Sequence, residues 1–385
     1  MRAISRGLLT IAFLVPTSVV TAQVAGTCND PLAALDARLR ALEAQNQQLI
    51  GSLNQCQVGA QANQPDFLGT PRHNGLIMGI EVLHLAVRHP GLEFGITDTS
   101  GGLQDSGADG TVLGFDGDYD IGWRATLGYR FDADCFCEAN RPEFLLRYTI
   151  FGTEQDESFN GLLRASFISA DNSENNDSDD GVNDITPDDR ATNAQASFDF
   201  DLETLDLEFA QTLSLTRTLN LRLAAIGRFA LIDEDYRVTY SGADFSNPFT
   251  AFRQWDYQGG GLMLGSQLDW QLSNRISLTC GGRAGALLGR RESRYFIPDD
   301  EAGLPTDVLH STTRLTPVLE MAAMLNYTRD YCNFGLNIAA GYEFTNYFNL
   351  ADDRTFTDPH QEAVNVNSVR DLSLDGFVGR ISLNY

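Results

Sequence analysis

The chain of 385 residues contains no lysine; all 27 of its basic residues are arginine, set against 52 aspartates and glutamates. The resulting charge of -25 excludes a nucleic-acid binder, which needs clustered cations to meet phosphate. After the N-terminal segment there is no apolar run of about 18 residues, which excludes a helical membrane protein. The six cysteines include no CxxC, and they and the five histidines form no zinc-spaced cluster, so neither metal nor cofactor is expected. Catalytic groups are equally scarce. His84, His89 and His310 lack a nucleophile and an orienting acid at readable spacing, and Ser311 beside His310 is no triad, so an enzyme is not expected. Disorder is excluded in turn by 35 glycines with 10% aromatics and 43% apolar residues.

Residues 1–22 read as a secretory signal. Arg2 and Arg6 precede an apolar stretch from Gly7 to Val20, and Val20-Thr21-Ala22 supplies small residues for cleavage. Removing two arginines leaves 25 against 52 acids, a charge of -27. Export allows oxidation of cysteine, with Cys28, Cys56, Cys135, Cys137 and Cys332 as the candidates for disulfides. Over 28–57, Asp30-Pro31 starts a helix, and Leu32, Leu35, Leu39, Leu42, Asn46, Leu49 and Leu53 follow at alternating spacings of three and four. That is the a/d seam of a coiled coil, with Asn46 fixing register and Cys28 and Cys56 on the same seam. A homo-oligomer, dimer or trimer, is expected through this seam, followed by a linker over 58–73.

From residue 74 the period changes to two. Tyr119, Ile121, Trp123, Ala125, Leu127, Tyr129 and Phe131 alternate with Asp120, Gly122, Arg124, Thr126, Gly128 and Arg130. Similar alternation over ten or more residues recurs to the end of the chain, whereas soluble strands average about five or six. Ten strands are expected, near 75–97, 112–131, 142–165, 196–213, 218–242, 251–271, 275–297, 307–328, 333–349 and 367–385. Their connections alternate between short turns and long polar loops. Aromatics gather at both strand ends, with Tyr129, Phe131, Trp270, Tyr327, Phe334 and Tyr385 at the short turns and Tyr119, Tyr148, Tyr240, Phe344 and Tyr347 toward the long loops. Two aromatic girdles belong to two membrane interfaces. The expected fold is therefore all-β: an antiparallel transmembrane barrel of about ten strands, within a range of eight to fourteen, over 74–385, behind the N-terminal helix. The closing residues Phe377, Gly379, Ile381, Leu383 and Tyr385 resemble the C-terminal signature by which bacterial outer-membrane barrels are recognised for insertion.

Several stretches also resemble one family. They are Gly79-Ile80-Glu81 with Arg88-His89-Pro90, the run Gly122 to Phe131, Asp206-Leu207-Glu208, Gly227-Arg228-Phe229-Ala230, and Gly265 to Arg290 ending Gly285-Ala286-Leu287-Leu288-Gly289-Arg290. Over about residues 75–385 the chain is similar to the Legionella-type major outer membrane proteins. The resemblance implies a pore-forming barrel, in some members with disulfide-linked subunits, and brings no catalytic residues with it.

With apolar residues facing lipid, the opposite phase faces the lumen. It carries Arg124, Arg130, Arg147, Arg222, Arg228, Arg283 and Arg380 against Glu81, Asp120, Glu143, Asp206, Glu208, Asp269, Glu320 and Glu343. Such rows tune ion preference in a wide pore, or pair and fill a narrow one. Inward Gly122, Gly128, Gly265, Gly281, Gly335 and Gly341 either leave space or mark twist. The segment 154–190 holds eleven acids against Arg164 and Arg190. A calcium loop fails there, because with Gly181 at the sixth position the twelfth is Pro187. The expected function is passive passage of small solutes or ions across the bacterial outer membrane, with the N-terminal segment in the periplasm and outer-membrane lipid around the barrel. The alternatives are a non-conducting barrel that tethers the envelope through its coiled coil and, less favoured, a barrel-embedded enzyme.

Overall fold

The computed structural model describes residues 75–89, 91–98, 110–131, 141–165, 190–243, 245–297, 306–331, 333–356 and 365–385. The signal, the coiled-coil seam, the linker, the five disulfide candidates and residues 166–189 lie outside the described residues. The described chain is a single antiparallel sheet of twelve strands: β1 Gly75–Arg88, β2 Glu93–Thr97, β3 Val112–Gly114, β4 Tyr119–Arg130, β5 Arg141–Ala165, β6 Arg190–Ser214, β7 Leu219–Gly242, β8 Phe245–Gln271, β9 Ile276–Ile297, β10 Thr306–Asp330, β11 Gly335–Phe356 and β12 Asn365–Asn384.

The count is twelve, not the expected ten. The first two expected strands each break in two where glycine takes a left-handed backbone conformation: at Gly91 (φ 100°) and at Gly117 (φ 72°). The ring closes through β1, β4 and then β5 to β12 in order, β12 returning to β1, while β2 and β3 pair only with each other and with the end of β5. Closure satisfies the backbone groups that hydrocarbon leaves without water. The final residue takes part: Leu76 and Tyr385 exchange both backbone hydrogen bonds at 3.1 and 2.9 Å. Tight turns close one end. In the turn after β8, the Ser273 hydroxyl accepts from the backbone N–H groups of Arg275 and Ile276. At the other end, where a long loop was expected over 243–250, β7 and β8 run on to a tight turn at Ala243 (φ 54°). β5 ends at Ala165 as expected, so the first part of the acidic segment is strand, and β6 begins at Arg190, ahead of the expected 196.

These strands are longer than a membrane requires. β8 has 27 residues where about 9–11 cross a bilayer. The surplus has reversed polarity. On β6 the inward residues Ala194, Ala196, Phe198, Phe200 and Leu202 are apolar and the outward ones are Gln195, Ser197, Asp199, Asp201 and Glu203. Beyond Glu203, Leu205, Leu207 and Phe209 face out, and Thr204, Asp206 and Glu208 face in. No residue is inserted at the change, since β6 stays in unbroken register with β7 from Asn193 to Ser214. β8 repeats it: Leu262 and Leu264 are 78% and 73% exposed, and Trp255 on the same strand is 0%. Across β6 to β9 the outward residue changes character along one hydrogen-bonded row, Glu203, Leu231, Gln258 and Arg290. Below that row the barrel is built for lipid; above it, for water.

The outward band has an aromatic rim at the short-turn end, where Tyr129, Phe131, Trp270, Tyr327 and Tyr385 are exposed. The expected upper girdle is corrected in part. Tyr119 and Tyr148 face out, but Tyr240 and Tyr347 are fully buried inside. They belong to an interior apolar core with Phe151, Phe198, Phe200, Tyr236, Phe249 and Trp255. Leu92, Phe94 and Phe115, from the segments around β2 and β3, pack into it. At Gly259 and its cross-strand partner Gly289 a Cβ would fall within 2.5 Å of the Tyr257 side chain, so both positions need glycine for the ring to lie flat on the wall.

The polarity change is directly testable. Leu223→Arg, outward in the apolar band, is expected to destabilise the barrel by about 2–4 kcal/mol in bilayer unfolding measurements. Asp235→Arg, outward on the same strand above the change, should cost little; equal losses at both positions would contradict the assignment.

Candidate functional site

Beneath the apolar core the interior is polar. Its position follows from strand parity: below the change the inward phase carries Arg, Glu, Asp, Thr, Ser, Asn and Gln, with Gly and a few apolar residues such as Ile226, Met263 and Met324 between them. The fifteen charges expected in the lumen fall in this region, and thirteen of them form two networks. In one, Arg124 on β4 donates to Glu81 Oε2 at 2.9 Å and to both oxygens of Glu343 on β11 at 2.6 and 2.8 Å, and Arg380 lies 3.7 Å from Glu81. In the other, Arg228 on β7 grips Asp206 with two bonds of 2.6 and 2.7 Å and reaches Glu320 on β10. Arg283 lies 3.2 Å from Glu208, 3.6 Å from Glu320 and 3.7 Å from Asp206. Arg222 meets Glu208 at 2.5 Å and Glu143 at 3.3 Å, Arg130 meets Glu143 at 2.5 Å, and Arg147 stands 3.5 Å from Glu208.

β7 and β10 are not sheet neighbours, nor are β4 and β11, so these pairs span the lumen rather than the wall. Asp120 and Asp269 stay outside both networks: Asp120 accepts from Thr153, and Asp269 from Thr279 and Gln267. The arginines are pinned because burying a charge without a partner is costly, and removing one partner of a buried pair typically costs about 3–5 kcal/mol.

Two cavities flank this layer. The larger, about 240 Å³, lies toward the short-turn end and is lined mainly by Thr, Ser, Asn and Gln, among them Thr126, Thr212, Ser214, Asn220, Gln271, Ser277, Asn326, Thr328, Ser382 and Asn384. The smaller, about 80 Å³, lies among the charges themselves, bordered by Glu81, Arg124, Arg147, Asp206, Arg222, Arg228, Arg283, Glu320, Glu343 and Arg380. The glycines do not open the lumen as read from sequence. A Cβ at Gly128 would meet the Leu145 side chain at 2.3 Å, and one at Gly341 would meet the Ala323 carbonyl oxygen at 2.1 Å and the Met324 side chain at 2.8 Å, so neighbouring atoms already occupy that space.

Toward the other end the apolar core fills the bore, and buried polar contacts hold the β2 region in it. Tyr240 donates to the Phe94 carbonyl at 2.5 Å. Arg253 donates to the Gly91 carbonyl at 3.2 Å and to Glu234 at 3.4 Å while stacking on Tyr236, and His89 lies 3.9 Å from Glu234. Sequence reasoning missed this group because it placed Tyr240 and Tyr347 in the upper girdle and left Phe198, Phe200, Tyr236 and Trp255 unassigned; the signal available on β6 was the shift of apolar residues from even to odd numbers near 203. The residues that suggested hydrolysis do not converge. His310 and Ser311 are adjacent on β10 and so point to opposite faces, and Ser311 accepts from Arg290 at 2.9 Å. Among the described residues no three potential metal ligands converge. Cys280 is the one described cysteine, exposed on β9.

The outer face above the polarity change carries carboxylates directly opposite one another: Asp199 faces Asp235, and Asp201, Asp233, Asp256 and Glu292 form a row over four strands. Burial, reinforced by Asp256, Asp201 and Asp235, raises the Asp233 carboxyl to about 6, and Asp199, Asp235 and Asp256 are raised for the same kinds of reason. A raised carboxyl binds its proton more tightly in the folded than in the unfolded chain, so lowering the pH from 7 through 6 toward 4 adds stability and raising it removes stability. The unfolding midpoint is therefore expected to rise as pH falls from 7 to 5. Asp233→Asn should flatten that slope, and high salt should weaken it by screening; a midpoint falling over this range would contradict the assignment.

The profile of the family described as Legionella pneumophila major outer membrane protein precursor matches residues 72–384. No curated protein matches the sequence significantly. Among solved structures, the chain is similar to the outer membrane protease OmpT from Escherichia coli, at 8% identity over 82% of this chain and 98% of that one, with a TM-score of 0.42. It is also similar to the toluene transporter TodX of P. putida, at 11% identity over 82% and 91% of the two chains with a TM-score of 0.33. A FadL homologue of Pseudomonas aeruginosa aligns at 9% identity over 82% and 90%, with a TM-score of 0.27.

Proposed function

The chain belongs to the Legionella pneumophila major outer membrane protein family, and from that premise we propose that it passes small polar solutes or ions across the outer membrane by passive diffusion. One observation carries the reading. A polar vestibule of about 240 Å³ leads to a constriction made of ion pairs rather than packed hydrocarbon. Paired charges can exchange partners and admit water, which a packed apolar layer cannot do without losing its contacts. In this reading the cross-lumen ties Arg124–Glu343 and Arg228–Glu320 form the polar constriction, and the apolar core above them, into which Leu92 and Phe94 pack, rearranges for solute to pass. The seam Leu32 to Leu53 assembles a homo-oligomer on the periplasmic side, with Cys28 and Cys56 positioned for interchain bonds. The chemistry is transport rather than catalysis.

A second reading has its own support. The filled upper bore suits a non-conducting barrel that anchors the envelope through its N-terminal segment. Planar bilayer recording separates the two. Wild type is expected to give discrete conductance steps, and Glu343→Gln, which loosens the tie to Arg124, to raise the step size roughly twofold. Absence of steps in both proteins would remove the pore.

A further inference from the structure

The charges of the constriction do not balance, and the excess has a place. Seven arginines share six carboxylates in the two networks, Glu81, Glu143, Asp206, Glu208, Glu320 and Glu343. Glu208, fully buried, is shared by Arg222 at 2.5 Å, Arg283 at 3.2 Å and Arg147 at 3.5 Å. Arg147 is the loosest of the three and has no other carboxylate within 4.0 Å among the described residues. Arg380 is held loosely too, at 3.7 Å from Glu81, with another guanidinium nitrogen against the Met324 sulfur at 3.2 Å. The Nε atoms of both Arg147 and Arg380 are buried and meet no hydrogen-bond acceptor among the described residues. Both side chains border both cavities, and the smaller cavity between them is lined by six arginines against four carboxylates.

Buried N–H donors without acceptors are costly to leave unmet, and a guanidinium presents them in a planar fork suited to two oxygens of one oxyanion. We propose that Arg147 and Arg380 form a binding site for a small oxyanion at the roof of the vestibule, entered from the short-turn end. The four carboxylates lining the smaller cavity are already engaged, Glu81 and Glu343 by Arg124 at 2.9 and 2.6 Å and Asp206 and Glu320 by Arg228, and of the four Glu81 alone also borders the larger cavity. The cavity of about 80 Å³ offers several times the space that one water requires, enough for an anion of phosphate size. The inference goes beyond passage through the barrel, because an anion can reach the roof and return without crossing.

The test is isothermal titration of the purified full-length barrel with inorganic phosphate in about 0.1 M chloride, which screens unspecific attraction. Heat-modifiable electrophoretic mobility confirms folding of every variant. Saturable binding is expected in wild type, with at least a tenfold loss in the Arg147→Gln, Arg380→Gln double variant and no change in Arg290→Gln on the outer face. Glu208→Gln should act in the opposite direction and tighten binding severalfold, because it releases Arg147, Arg222 and Arg283. Binding that is absent, unaffected by the double variant, or weakened by Glu208→Gln overturns the site. Conductance recorded on the same preparations keeps the two readings apart: phosphate binding without conductance retains the site and removes passage, while conductance without phosphate binding does the reverse.

Discussion

A charge facing hydrocarbon costs several kcal/mol, and an apolar side chain left facing water gives up the stabilisation that burial would bring. A β-strand alternates its faces with a period of two and cannot change phase without an extra residue. The long strands meet both constraints by keeping backbone phase constant and exchanging the residue types. On β6, Asp201 and Leu205 point the same way, one among carboxylates and one in the apolar band. Every other feature follows from that exchange. Where apolar residues point outward, the interior receives Arg, Asp and Glu; where they point inward, the bore closes on Phe198, Phe200, Tyr236 and Trp255.

The interior is consequently layered. A polar vestibule lined mainly by hydroxyls and amides comes first, then crossed ion pairs, then an aromatic core capped by the β2 region. Each layer has its own energetics. The vestibule's hydroxyls and amides are compatible with water, and the ionic layer is held by mutual attraction that offsets the cost of desolvation, which makes its members interdependent and its geometry specific rather than strongly stabilising. The aromatic core is packed, and Tyr240 and Arg253 tie it to the Phe94 and Gly91 carbonyls.

Much of the fold was legible in the sequence. Period-two alternation located the strands to within a few residues for β7, β9, β10 and β12, and parity alone brought Arg124, Arg228, Glu208 and Glu320 to one interior. The twelve strands were not legible, because a break at Gly91 or Gly117 depends on the backbone turning into the mouth, and either glycine could equally sit within a continuous strand. The upper core was misread for a definite reason. Tyr240 and Tyr347 were taken by residue type, as aromatics near a loop, instead of by parity, which places Tyr240 in phase with Arg222 and Arg228. The extension of β8 back to Phe245 was hidden by Ser241, Gly242, Asn247 and Pro248, a composition that usually marks a loop. Which carboxylate each arginine would choose required the three-dimensional closure of the ring, since Arg228 and Glu320 are 92 residues apart.

The central claim is that one strand passes from lipid to water without changing phase. Single cysteines placed at Leu223, Phe229, Asp235 and Tyr236 of β7, in a cysteine-free background reconstituted in vesicles, test it most directly with a membrane-impermeant maleimide. The account requires fast labelling at 235 and protection at 223 and 229 by lipid and at 236 by the interior core. Labelling at 223 as fast as at 235, or at 236 as fast as at 235, would contradict it.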